Sequence, residues 1–162
     1  MKKRYEISVG AGAWNTSPDT MPSEKGIYFV YRCEKRRDPE GKVGTYLSKL
    51  LYIGESKDAR SRMKDHNRDD DVRTSDIPAK EALYYTFAPF DGTDEERIRL
   101  ESAIIYHHRK TLPKGIGNTK NTKTFPYDET TVMISGEYTF GLSKSFVQPR
   151  VDTPAGLTPA LH

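Results

Sequence analysis

A chain of 162 residues, 35% hydrophobic and 30% charged, is long enough for one domain with a real core and leaves much of its length for surface, loop or tail. Its single cysteine, Cys33, excludes an intrachain disulfide framework and a multi-cysteine zinc site, in keeping with a reducing compartment. No apolar run approaches the roughly 20 residues needed to span a bilayer. The basic start has no apolar stretch behind it, so a cytoplasmic protein with neither membrane segment nor secretory signal is expected.

In chain order, residues 1–25 mix Gly, Ser, Thr and Pro and predict an irregular lead-in with a short strand over Tyr5–Val9. The aromatic and β-branched run Ile27–Tyr31 predicts a strand. Residues Glu34–Gly44 are polar around the turn signal Asp38-Pro39-Glu40-Gly41, and Tyr46–Gly54 predicts the returning strand of a hairpin with an enlarged loop. Ser56 is placed to N-cap a helix with Asp58 in its first turn, ending near His66 or Arg68. After a loop over residues 69–81, Ala82–Phe87 predicts a third strand. Thr93-Asp94-Glu95-Glu96 is a capping box opening a helix to about Lys110, before Pro113 and Gly115 stop it. Thr130–Ser135 alternates as a strand does, and a tail with Pro149, Pro154 and Pro159 follows. The division expected is a lead-in (1–25), a principal domain (26–147) and a Pro-rich tail (148–162).

The net charge of +3 is mild, but its distribution is informative. Between Lys57 and Arg68 five basic residues face two acidic ones, and Lys57, Arg60, Lys64 and Arg68 would form a phosphate-binding face. A solvated helix face leaves the same footprint. Arg62 and His66, at i and i+4, project from one side of that helix. Arginine can fork onto two phosphate oxygens, and His66 can accept a proton or orient a phenol near neutral pH. With Tyr28 and Tyr52 they form a set without a nearby nucleophilic Ser or Cys, better suited to phosphate chemistry than to acyl transfer. The tyrosines could equally be core aromatics with hydroxyls at the surface.

In the second helix Ile98, Glu101, Ile105 and His108 share a face, which places Glu101 in or beside the apolar stripe. A carboxylate there requires a cation, a metal or hydrogen-bond donors. Either Arg97 or an arginine of the first helix pairs with it, or it ligates Mg²⁺ together with waters and a phosphate oxygen. A zinc cluster of His66, His107 and His108 is disfavoured, since adjacent helical side chains diverge by about 100°.

Taken together, Gly26-Ile27-Tyr28, Tyr52-Ile53-Gly54, Arg62, His66 and Leu100-Glu101-Ser102-Ala103 make the chain resemble the GIY-YIG nuclease superfamily, whose members include phage homing endonucleases, the N-terminal domain of a bacterial excision-repair nuclease and some restriction enzymes. The resemblance covers about residues 26–125 and implies an α/β fold, a small three-stranded antiparallel sheet flanked by helices, here with an extended C-terminal region. It implies a Mg²⁺-dependent endonuclease (with Mn²⁺ as a substitute) acting on the DNA phosphate backbone, in which Tyr28, Tyr52, Arg62, His66, Glu101 and Asn118 are catalytic and Glu101 holds the metal. Asn121 is the alternative to Asn118. One site per chain would favour a homodimer for double-strand cleavage.

The chain departs from the family pattern in three places. Tyr28 and Tyr52 are 24 positions apart, a longer hairpin than in compact members. Glu55 puts a negative charge just after the second motif, and the interval from Glu101 to Asn118 is long. A binding module that no longer cuts, and a protein–protein adaptor using the long hairpin and the tail, are the rival readings.

Overall fold

Residues 26–31 carry no polar side chain apart from two tyrosine hydroxyls, and they form the middle of a sheet. In the computed structural model, which describes residues 1–10, 22–61, 83–113 and 122–153, this segment begins β2 (Gly26–Arg37). It lies between β3 (Val43–Ser56) and β4 (Leu83–Pro89), antiparallel to both. This is the three-stranded antiparallel sheet expected of the fold. Because side chains alternate along a strand, Ile27, Phe29 and Tyr31 enter the main core, while Tyr28 and Val30 enter a second cluster with Leu51, Ala59, Leu83, Tyr85 and Phe87.

A second sheet is formed by β1 (Lys3–Val9), β5 (Thr130–Gly136) and β6 (Ser145–Gln148). Here β1 runs parallel to β5, and β5 antiparallel to β6. The stretch expected as a lead-in thus holds a seven-residue strand of this sheet, and the Gly10 N–H donates to the Phe87 carbonyl to join the two sheets. Neither the second sheet nor β6 was anticipated.

Helix α1 (Asp94–His107) opens on the expected capping box. Thr93 Oγ1 accepts from the Glu96 N–H and the Glu96 carboxylate accepts from the Thr93 N–H. It ends at His107 rather than near Lys110, with His108 as its cap. Leu100, Ala103 and Ile104 are fully buried on its inner side, whereas Ile98, expected in the apolar stripe, is 36% exposed. Arg99 ties the helix to the second sheet by donating to Thr130 Oγ1 and the Asp128 carbonyl.

Two local expectations are corrected. Residues 34–37 and 43–44, expected within an enlarged loop, are strand, and only the Asp38–Lys42 turn separates them. There Asp38 Oδ1 accepts from the Glu40 and Lys42 N–H groups, and Gly41 adopts φ 85°, a left-handed value that glycine takes without a Cβ clash. The helix after β3 begins at residue 59 and is capped by Asp58, whose carboxylate accepts from the Ser61 N–H, rather than by Ser56.

The end of α1 is pinned by a neutral imidazole. His108 Nδ1 lies 2.7 Å from the Ile104 carbonyl, so that nitrogen carries the proton, and Nε2 accepts from the Ser143 N–H at 2.9 Å. The His107 ring, stacked on Phe146 with centroids 3.9 Å apart, stands edge-on to that of His108. Burial lowers the pKa of both histidines. Protonating His108 would turn Nε2 into a donor facing another donor. With folded pKa values below the ordinary 6.5, the unfolded chain binds protons first, so stability should fall as pH drops below about 6.5. Urea melts between pH 7.5 and 5 should show this loss, with a smaller slope in His108→Gln; equal slopes would place the titration elsewhere.

Candidate active site

The tyrosines of the two tripeptide motifs come together because of the β2–β3 register. Tyr28 pairs with Gly54, and Val30 with Tyr52, so the two tyrosines lie diagonally on one face. Their rings stack with centroids 5.9 Å apart and 21° between planes. Tyr28 is buried and Tyr52 half-buried. A Cβ on Gly54 would collide with the ring and hydroxyl of Tyr28, so the glycine of the second motif makes room for the tyrosine of the first.

Both tyrosines line a cavity of about 520 Å³ with Glu55, Ser56, Lys57, Asp94, Arg97 and Glu101. Glu101 is 4% exposed, and its Oε2 accepts from the Glu55 N–H at 2.7 Å, which fixes the carboxylate against the end of β3. The Glu55 side chain points to a different partner. Its Oε2 accepts from Arg97 Nε at 2.6 Å, and Arg97 Nη2 donates to Asp94 at 3.0 Å. Lys57 pairs with the other oxygen of Asp94 at 2.9 Å. The charges therefore alternate along Lys57, Asp94, Arg97 and Glu55, and cancel.

Arg97 is 2% exposed, and its Nη1 is buried without a hydrogen-bond partner. Burial opposes the guanidinium charge, but Glu55 and Asp94 outweigh it and the pKa lies above the ordinary arginine value. Asp94 is held below the usual carboxylate value by its hydrogen bonds to Lys57 and Arg97.

Among the expected site residues, Tyr28, Tyr52, Glu101 and Lys57 line this one cavity. Arg60 lies half-buried in the first turn of the helix after β3. Arg62, Lys64, His66, Arg68, Asn118 and Asn121 lie outside the described residues. Arg97 had been expected only as a possible partner for Glu101, and it bonds to Glu55 and Asp94. The sequence signal that pointed toward it was Glu55 itself, a carboxylate next to the motif that required a cation. Burial pushes the Cys33 thiol up to about 11, consistent with an inert core cysteine.

Among the described residues no three His, Cys, Asp or Glu side chains are grouped to hold a metal ion. Mg²⁺ binds through one or two carboxylates and keeps several waters, so a single oriented carboxylate can serve it. The buried, oriented Glu101 carboxylate beside a cavity large enough for waters and a phosphate oxygen meets this requirement.

The GIY-YIG catalytic domain model matches residues 25–123. The chain belongs to the GIY-YIG nuclease family. A UvrABC system protein C from Methanosphaera stadtmanae is 26% identical over 115 residues, 68% of this chain. The chain spans only 16% of that relative's length. No solved structure matches.

Two substitutions probe this geometry. Arg97→Met leaves Glu55 unpaired and should cost about 3 kcal/mol in urea unfolding, with partial recovery in the Arg97→Met/Glu55→Gln double variant. Purely additive losses would show that the two side chains are not coupled. Gly54→Ala should displace the Tyr28 ring and cost about 1–3 kcal/mol, whereas an unchanged melt would mean that the ring can move aside freely.

Proposed function

We propose that this chain is a metal-dependent endonuclease that hydrolyses phosphodiester bonds in DNA, working in the cytoplasm. The observation that carries the proposal is that Tyr28, Tyr52 and Glu101, drawn from two strands and a helix, line one polar cavity. Membership of a nuclease family supports the same reading.

In the proposed reaction a water adds to phosphorus, one P–O ester bond breaks, and the leaving oxygen takes up a proton. Tyr28 orients the water or accepts its proton, aided by His66. A phenol of ordinary pKa about 10 requires nearby positive charge for this, which Arg62 would provide. Tyr52 positions the water or the phosphate beside it. Arg62 stabilises charge building on the phosphoryl oxygens, where a planar guanidinium offers two parallel donors. Asn118 orders the site or touches phosphate, and Lys57, Arg60, Lys64 and Arg68 hold the backbone on either side. Glu101 would hold Mg²⁺, which when bound supplies Lewis-acid stabilisation of the leaving oxygen.

Glu55 gives no support to the reading of an inactive binding module. Its charge is matched by Arg97 at 2.6 Å, so it does not confront a phosphate as an uncompensated anion.

The test is cleavage of supercoiled plasmid with Mg²⁺, with Mn²⁺ and with chelator. Metal-dependent nicking is expected, lowered about 100-fold or more in Glu101→Gln and in Arg62→Ala. Glutamine keeps an acceptor for the Glu55 N–H, so the fold should persist, as a thermal melt would verify. Cleavage at the wild-type rate in both variants would overturn the mechanism.

A further inference from the structure

Among the described residues the hairpin of β2 and β3 outruns its sheet. Pairing with β4 runs there from Gly26 to Arg32, opposite Leu83, while pairing between β2 and β3 continues to Arg37 opposite Val43. Beyond Cys33 the ribbon is exposed on both faces, with every residue of 34–37 at the surface. Four residues from Glu34 to Arg37 make a projection of about 13 Å.

The two faces of this ribbon differ in charge. Alternation puts Lys35 and Arg37 on one face, opposite Thr45 and Val43. The other face carries Glu34 and Arg36, which pair at 3.3 Å, and Tyr46, whose ring lies 5.6 Å from the Arg36 guanidinium. At the tip, Asp38 is committed to the turn. Among the described residues no carboxylate forms an ion pair with Lys35, Arg37 or Lys42. One face of the ribbon is thus cationic, without carboxylates, and bears exposed apolar atoms at Val43.

We infer that this ribbon is a duplex-binding arm that enters the major groove of DNA, with Lys35, Arg37 and Lys42 on the phosphates that border it. The inference rests on the DNA substrate proposed above and adds a second contact surface to it. The major groove is about 12 Å wide and 8.5 Å deep and admits a two-stranded β-ribbon, so the projection is long enough to reach its floor. Tyr28 and Arg37 are nine residues apart on β2, roughly 30 Å along an extended strand. The arm therefore grips the duplex close to one helical turn, about 34 Å, from the cavity. Charge complementarity favours DNA over a protein partner, since the cationic side chains outnumber what the ribbon itself neutralises.

The test measures binding of the full chain to a fluorescent duplex of about 30 bp in chelator, over a series of salt concentrations. The Lys35→Ala/Arg37→Ala/Lys42→Ala variant should bind at least 10-fold more weakly at low salt. Its dependence of log K on log salt should be shallower by about 2 to 3, since each phosphate contact contributes about 0.9. Glu40→Lys, at an exposed position, should tighten binding. A duplex carrying glucosylated cytosines, which fill the major groove, should bind the wild type as poorly as plain duplex binds the triple variant. Unchanged affinity and slope in the triple variant would overturn the arm and leave the ribbon to a protein partner. Undiminished binding of the glucosylated duplex would overturn groove entry. Because no cleavage is needed, a protein that binds in this way but never cuts would sink the nuclease reading and leave the arm standing.

Discussion

Strand β2 is buried on both faces for as long as it has a neighbour on each side, and that double burial organises the rest of the molecule. Burying Ile27, Phe29 and Tyr31 against one layer and Tyr28 and Val30 against another fixes the strand's register, because a slip of one residue would exchange the two sets. With the register fixed, Tyr28 must lie over residue 54. The absence of a side chain at Gly54 then becomes a requirement of packing, and the two tripeptide motifs act as one unit across the ladder.

The acidic half of the cavity is built on a different principle. Glu101 is positioned by the backbone N–H of Glu55, and Glu55 is positioned by the Arg97 guanidinium from the helix that carries Glu101. The helix and the strand end therefore hold each other through two contacts of opposite sense, one donated by each element. Removing two charges from water is costly, and a pair so placed contributes more to geometry than to net stability.

Much of this was legible in the sequence, and the rest was hidden for identifiable reasons. The strand starting at Gly26 and the capping box at Thr93 could be read because each depends on local pattern, and Tyr28, Tyr52, Lys57 and Glu101, singled out by motif and charge, line one cavity. The second sheet could not, because β6 is only four residues long and β1 finds its parallel partner more than 120 residues away. The distal ribbon was masked by its composition. Glu34–Arg37 has no apolar alternation, since neither face of that segment meets a core, and a strand without a buried face leaves no period to detect. Arg97 was weighed only against Glu101, a carboxylate of its own helix, whereas its observed partner Glu55 is 42 positions away in sequence.

The two halves of β2 answer to opposite constraints. From Gly26 to Arg32 every position is dictated by neighbours on both sides, and substitution there acts through packing. From Glu34 onward the strand has, among the described residues, one partner and no covering layer. Nothing in the interior requires its lysines and arginines, and a two-stranded ribbon in water gains little stability from its own contacts. A pair of strands carried that far beyond its sheet, with charge of one sign on one face, has the form that the proposed duplex contact requires. The rigid half supplies what such an arm requires, since a projecting ribbon can orient a bound duplex only if its base cannot slip, and β2 is where slipping is least allowed.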